Sequence, residues 1–188
     1  MKDFEVINFE NMKKNALTKI DKSKKGDIDE RIKKVLDRIN KTDNYFTTSS
    51  CSGRIVLLKK GERKNECEWL YVTHDLADKK KIWKALQKAK GNVFLKMESL
   101  ILHISCRKLS DAEKLLLLIR KKFKRAGIIS MKKLSIELMG SDLLNLPVVE
   151  DKLLIDQNYS EILIDEANKK MISNWKKIEE LYELLENC

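Results

Sequence analysis

The six glycines of this 188-residue chain stand at 26, 53, 61, 91, 127 and 140, never closer than eight positions apart. The two glycine-rich turns that most often cradle nucleotide phosphates are G-x-G-x-x-G and G-x-x-x-x-G-K. Both need glycines much closer than that, because the backbone must turn tightly and approach the phosphate. Neither can be written into this sequence. If the chain binds a nucleotide-like molecule, it does so without those loops.

Hydrophobic spacing then divides the chain. Residues 4–20 read as a helix with Phe9, Met12, Ala16, Leu17 and Ile20 on one side. A polar turn at 21–27 follows, with Asp27 expected as the N-cap of a helix carrying Ile28, Ile32, Val35, Leu36 and Ile39. Residues 54–60 and 68–74 read as two strands joined through Gly61. A helix over 78–90 is expected to stop at Gly91, and strands at 92–97 and 99–107 follow. Ser110-Asp111-Ala112-Glu113 has the form of a capping box, opening a helix that Gly127 is expected to end. One or two strands lie within 128–139, and Pro147 marks the run 144–155 as an edge. From Tyr159 a long helix places Ile164, Ala167, Met171, Trp175, Ile178, Tyr182 and Leu185 every three or four positions. That stripe suits packing on a sheet better than a coiled coil. The expected class is α+β: one domain over 1–188, with a mixed, mostly antiparallel sheet flanked by helices and the C-terminal helix packed on it.

The polar residues concentrate in two places. Asn44 to Gly53 is the longest charge-free run; from Thr47 it consists of hydroxyls, one thiol and Gly53, and Arg54 follows it. Such a stretch either lines a pocket or forms a turn whose hydroxyls bond their own backbone. In Leu100 to Arg107, alternation puts Leu100, Leu102, Ile104 and Cys106 on one face and Ile101, His103, Ser105 and Arg107 on the other. The polar groups of the second face are spaced by about 7 Å per step. They form either the floor for a polar ligand or an ordinary solvent-facing sheet surface. His74 ends its strand next to Asp75. Trp69, Tyr71, Tyr45 and Phe46 are stacking surfaces for a nucleobase or plain core.

Lys and Arg number 39 against 29 Asp and Glu, giving a net charge of +10. A domain this basic suits a polyanionic partner, with Lys22 to Lys25, Lys79 to Lys81 and Arg120 to Arg125 as candidate phosphate contacts. No uncharged run exceeds ten residues, so no membrane span is expected, and a cytoplasmic protein is inferred. Cys51, Cys67, Cys106 and Cys188 show no C-x-x-C pair, so the spacing gives no metal site.

Taken together, the motifs resemble the tRNA wybutosine-synthesizing protein 3 family. They are Asp21-x-Ser23-x-Lys25-Gly26-x-x-Asp29; Phe46 through Ile55; Trp69 with Val72 to His74; and Lys96-x-Glu98. Farther on come Ile101-Leu102-His103 with Cys106-Arg107; Ala126-Gly127-Ile128; Pro147; and Ala167-Asn168. The Thr-Thr-Ser-Ser-Cys-Ser-Gly-Arg string is the specific one. The chain departs from the family at Ser99, Ala126 and Met139-Gly140. The resemblance implies a non-Rossmann, S-adenosylmethionine-dependent methyltransferase. Its substrate would be the tricyclic base beside the anticodon of tRNA(Phe), methylated at the N4 ring nitrogen in the wybutosine pathway. On that basis His103, and second His74, are expected as general base. Arg54 and Arg107 are expected to hold anionic groups. Ser49, Ser50, Ser52 and Gly53 are expected to bond donor or base, with Lys25, Asp29 and Trp69 around them in one hollow. The alternative is a non-catalytic tRNA-binding protein of the same pathway.

Overall fold

The computed structural model describes residues 2–18, 29–63 and 66–187. The expected turn at 21–27, with Lys25 and Asp27, lies outside them. Helices are α1 Lys2–Thr18, α2 Glu30–Asn40, α3 Lys79–Leu86, α4 Leu109–Ile119 and α5 Gln157–Leu184. Strands are β1 Tyr45–Cys51, β2 Arg54–Lys59, β3 Glu68–Thr73, β4 Val93–Glu98, β5 Ile101–Cys106, β6 Ala126–Ser130, β7 Ser135–Met139, β8 Leu144–Glu150 and β9 Lys152–Leu153. The α+β class holds. Among the described residues there are two sheets instead of one mixed sheet, and every pairing is antiparallel.

The chain divides into two compact units. One comprises Met1–Ser52, Leu100–Gly140 and Lys176–Cys188; the other comprises Gly53–Ser99 and Ser141–Trp175. The first holds the four-stranded sheet β1-β5-β7-β6. One face presents Leu102, Ile104, Ile136 and Leu138, all fully buried. Helix α4 packs there through Ala112, Leu115 and Ile119. Tyr45 closes the end of this layer, its hydroxyl donating to the Asp111 carbonyl at 3.1 Å. On the other face α1 sets Phe9 edge-on against Phe46, ring centroids 5.2 Å apart. Leu17, expected on the same stripe as Phe9, is exposed.

The second unit holds the five-stranded sheet β3-β2-β4-β8-β9. Its core joins Ile55 and Leu57 of β2, Leu95 and Met97 of β4, and Val148 of β8. Ile82 and Leu86 of α3, and Ile164, Ala167 and Met171 of α5, complete it. The expected stripe of the long helix therefore does pack on a sheet. Pro147 pairs with Phe94 on one side, while β9 and Leu154 reach Val148 to Glu150 but not Pro147 on the other. The proline's missing N–H thus falls on an effectively open edge. No helix among the described residues is long and apolar enough to cross a membrane.

Three helices start or stop at residues other than the local signals predict. Asp29, not Asp27, caps α2, accepting from the Arg31 N–H at 3.4 Å. Helix α3 ends at Leu86, where Lys88 and Ala89 switch to tighter bonds with the carbonyls three residues back. Gly91, at φ 78°, belongs to the turn into β4. Helix α4 starts at Leu109 after Lys108, with no side-chain cap, so Ser110 sits inside its first turn. Gly127 lies in β6 rather than at the end of that helix.

Candidate functional site

Strand β1 is regular up to Thr47, which faces Ile104 of β5. A bulge then inserts Thr48, and pairing resumes with Ser49 opposite His103, Ser50 opposite Leu102 and Cys51 opposite Ile101. An extra residue in one strand reverses the facing of everything beyond it. Ser49 therefore shares the His103 face. Ser50 is sent to the opposite face, which corrects the expectation that both serines stand with the histidine. Asn40 anchors the bulge from α2: its side-chain oxygen accepts from the Thr47 N–H at 2.8 Å, and its amide donates to the Thr47 hydroxyl at 2.9 Å.

On its other side β5 pairs with β7, where Glu137 stands opposite His103. Ser49, His103 and Glu137 thus form a row across β1, β5 and β7 on one sheet face. Ring nitrogen Nε2 of His103 lies 2.9 Å from Glu137 Oε2, and both side chains are about a quarter to a third exposed. A carboxylate only accepts, so Nε2 carries the hydrogen and the neutral ring keeps its lone pair on Nδ1. Glu137 was not foreseen. A lone carboxylate between Ile136 and Leu138, both fully buried, was the signal available in the sequence.

Toward Arg107 that face is closed. Ser105 is buried and shares a 3.2 Å hydrogen bond with Ser135. Arg107, expected to hold a ligand's anion, is engaged within the chain. Nε and Nη2 donate to the Asp43 carbonyl at 3.0 and 2.6 Å, Nη2 also pairs with Glu10, and the guanidinium lies over the Phe9 ring. It clamps the end of β5 to α1. Ser52 is fully buried, and its hydroxyl donates to Asp29, the residue that caps α2. This pair ties strand to helix instead of lining a hollow. Cys106 lies on the α4 side, where burial and then the Asp111 charge push its thiol up to about 12.

The second unit contains Gly53, Arg54, Trp69 and His74. Arg54 faces Glu98 across β2 and β4, with Nε 2.6 Å from Oε2, and its guanidinium lies 4.6 Å from the Trp69 ring centroid. Carboxylate and indole together hold the arginine plane in one orientation. The His74 ring donates from Nδ1 to the Gly53 carbonyl at 2.9 Å, because a carbonyl only accepts. Gly53 has φ 104°, and a Cβ there would come within 2.7 Å of Asn174 Nδ2 and 2.9 Å of the Glu98 carbonyl. The space beside this glycine is filled by the protein itself, which corrects its expected role as a point of ligand approach. Ser99 donates to Asn174 Oδ1 at 3.1 Å. Among the described residues, no three His, Cys, Asp or Glu side chains gather as metal ligands.

Comparison with known proteins gives a consistent picture. The family model described as methyltransferase TYW3 matches residues 10–187. A human tRNA wybutosine-synthesizing protein 3 homolog is 38% identical over 189 residues, covering 96% of this chain and 73% of that protein. A second relative, from Methanocaldococcus jannaschii, is named tRNA(Phe) 7-((3-amino-3-carboxypropyl)-4-demethylwyosine(37)-N(4))-methyltransferase. It is 35% identical over 156 residues, 79% of this chain and 81% of its own length. A solved structure from Pyrococcus horikoshii superposes with a TM-score of 0.86 at 31% identity, covering 95% of this chain and 94% of that one.

Proposed function

This chain belongs to the TYW3 methyltransferase family, and on that premise we propose that it methylates N4 of the tricyclic wyosine-type base beside the anticodon of tRNA(Phe). The donor is S-adenosyl-L-methionine, the setting is the cytoplasm, and residues 1–188 act as one methyltransferase domain. The observation that carries the assignment of roles is the row Ser49–His103–Glu137 on a half-open sheet face.

The donor supplies an electrophilic methyl group on a sulfonium. When bound, it would give that methyl to N4, the C–S bonding pair leaving on sulfur. The proton carried by the precursor base passes to His103, whose lone pair on Nδ1 is set by the bond from Nε2 to Glu137. Glu137 then offsets the positive charge on the ring, holding the base through the transfer as a positioning residue. Ser49, opposite His103, offers a hydroxyl to the polar edge of the substrate. Arg54 contributes differently. Its Nε is taken by Glu98, but its terminal nitrogens carry no partner among the described residues and stand over an indole. A planar fork of that kind fits the donor's carboxylate or a phosphate. Within its own unit Arg54 thus offers a cation for such a carboxylate beside an aromatic surface. His74 is the second candidate base.

The test is direct. Purified protein, S-adenosylmethionine and tRNA(Phe) carrying the demethylated precursor are incubated, and the digested nucleosides are weighed by mass spectrometry. Gain of one methyl group on the wyosine-type nucleoside is expected, together with calorimetric binding of S-adenosylhomocysteine. Tight tRNA binding with neither methyl gain nor donor binding would leave a tRNA-binding protein and end the enzyme reading.

A further inference from the structure

The four-stranded unit contains a cavity of about 390 Å³ that takes no part in the chemistry above. Its floor is apolar: Tyr45, Leu115 and Leu185 line it and are almost wholly buried. Its wall is one face of α2 and its C-cap, where Lys34, Arg38 and the capping Lys41 recur at intervals of four and three and so stand in line. We propose that this cavity is a nucleotide subsite for the RNA strand that carries the target base, taking a base beside Arg38 and its phosphates on Lys34 and Lys41.

Arg38 is fixed with its plane presented. Nε donates to the Leu185 carbonyl at 3.3 Å, Nη1 to the Tyr182 hydroxyl at 3.3 Å, and Glu186 lies 3.5 Å away. The guanidinium lies over the Tyr182 ring, 5.1 Å from its centroid. A guanidinium backed by an aromatic ring is a stacking platform, and single-stranded RNA is held on such planes while its phosphates meet lysines. Lys34 and Lys41 are exposed and have no side-chain partner among the described residues. Asp37 also lines the cavity and Glu186 pairs with Arg38, so the three cations face two anions and the mouth keeps a small positive excess. Asp37 adds an acceptor for a ribose hydroxyl or a base amino group.

Distance separates this cavity from the reacting base. Tyr45 marks the cavity end of β1 on its α4 face, whereas Ser49 stands four residues along, roughly 13 Å at the usual rise of a strand, on the opposite face with His103, so the two are joined around the edge of β1. An RNA strand passing that edge reaches both within a few nucleotides. A base drawn out for methylation leaves its neighbours unstacked, and a subsite at this distance takes one of them. The inference rests on the tRNA reading above, because it takes that RNA as its ligand.

The experiment uses anticodon stem-loops of tRNA(Phe), each carrying one abasic position, with binding read by fluorescence anisotropy. In the wild-type protein, one position near the modified base should weaken binding roughly tenfold when its base is removed. In Arg38→Lys, which keeps the charge and loses the plane, the same abasic change should cost less than about twofold more, a coupling that only a direct contact produces. Lys34→Gln with Lys41→Gln should lower the salt slope of binding by about 1.4, at ~0.7 for each single-strand phosphate. Equal abasic losses in wild type and Arg38→Lys would overturn the proposal. So would a tenfold loss of S-adenosylhomocysteine affinity in Arg38→Lys with RNA binding unchanged, since the cavity would then serve the donor. If Arg38→Lys fails to fold, the exposed lysine pair decides: an unchanged salt slope overturns the subsite. None of these readouts needs turnover. An active enzyme without coupling therefore loses only the subsite, and an inactive protein with coupling loses only the reaction assigned to it.

Discussion

The two sheets treat their polar residues in opposite ways. In the four-stranded unit, Ser49, His103 and Glu137 meet in a row across three strands and keep part of their surface open. In the five-stranded unit, the groups around Gly53 close on one another. His74 donates to the Gly53 carbonyl, Ser99 donates to Asn174, and the Asn174 amide stands where a Cβ of residue 53 would go. Both sets come from stretches that look equally polar in the sequence. What separates a surface for substrate from a self-contained knot is where each donor and acceptor finds its partner.

The largest effect that tests this contrast is in the open row. His103→Ala should lower methylation of precursor tRNA by about 10²–10⁴-fold with little change in unfolding midpoint. Glu137→Gln keeps a hydrogen-bonding partner for the ring but removes the charge, so it should cut kcat, shift its pH profile and spare tRNA affinity. A His103→Ala protein of normal activity would remove the row from the chemistry. The closed knot should respond in stability instead. Gly53→Ala places a Cβ against Asn174 and the Glu98 carbonyl at φ 104°, and should cost about 3 kcal/mol in denaturant unfolding, from strain plus overpacking. A loss below about 1 kcal/mol would mean the knot yields readily.

Smaller effects separate the two serines beyond the bulge. Ser49→Ala should reduce kcat/KM several-fold, about 1 kcal/mol. Ser50→Ala, on the opposite face, should change it less than about twofold. Equal losses would show that the bulge does not decide which hydroxyl is used. The smallest effect is confined to alkaline solution. The Cys106 thiol is held protonated up to about 12, by burial first and the Asp111 charge second. The unfolded chain releases that proton in the ordinary thiol range, so between that range and about 12 the folded state binds more protons and stability falls as pH rises. Below the ordinary range the contribution is fully present. Cys106→Ala should flatten this part of the stability curve, seen as a smaller drop in urea midpoint between about pH 8 and pH 10.5.

Much of the fold was readable in the chain. The alternation of 100–107 named the buried face of β5 correctly, with Leu100, Leu102, Ile104 and Cys106 all nearly inaccessible. The stripe of the last helix and the edge position of Pro147 followed from spacing and from one missing N–H. Helix boundaries were less legible, because Asp27 and Asp29 offer the same carboxylate and Ser110 the same hydroxyl. Only competition among neighbouring contacts selects the cap. The candidate site was half legible. His103 stood out as a histidine in an apolar strand, but Glu137 and the bulge at Thr48 did not, since both are statements about which strand lies next to which.

By itself the sequence determined a basic α+β chain without phosphate-binding glycine loops, one polar strand face carrying a histidine, and a serine-rich run resembling one family of tRNA-modifying enzymes. These follow from periodicity, composition and residue order, which are local properties. Tertiary structure alone decided that Ser49 rather than Ser50 meets His103, that Glu137 fixes the ring's tautomer, and that Arg107 and Gly53 are engaged within the chain. Register and burial arise from contacts between residues distant in sequence, and a single inserted residue in one strand is enough to reverse which side chain shares a face with His103.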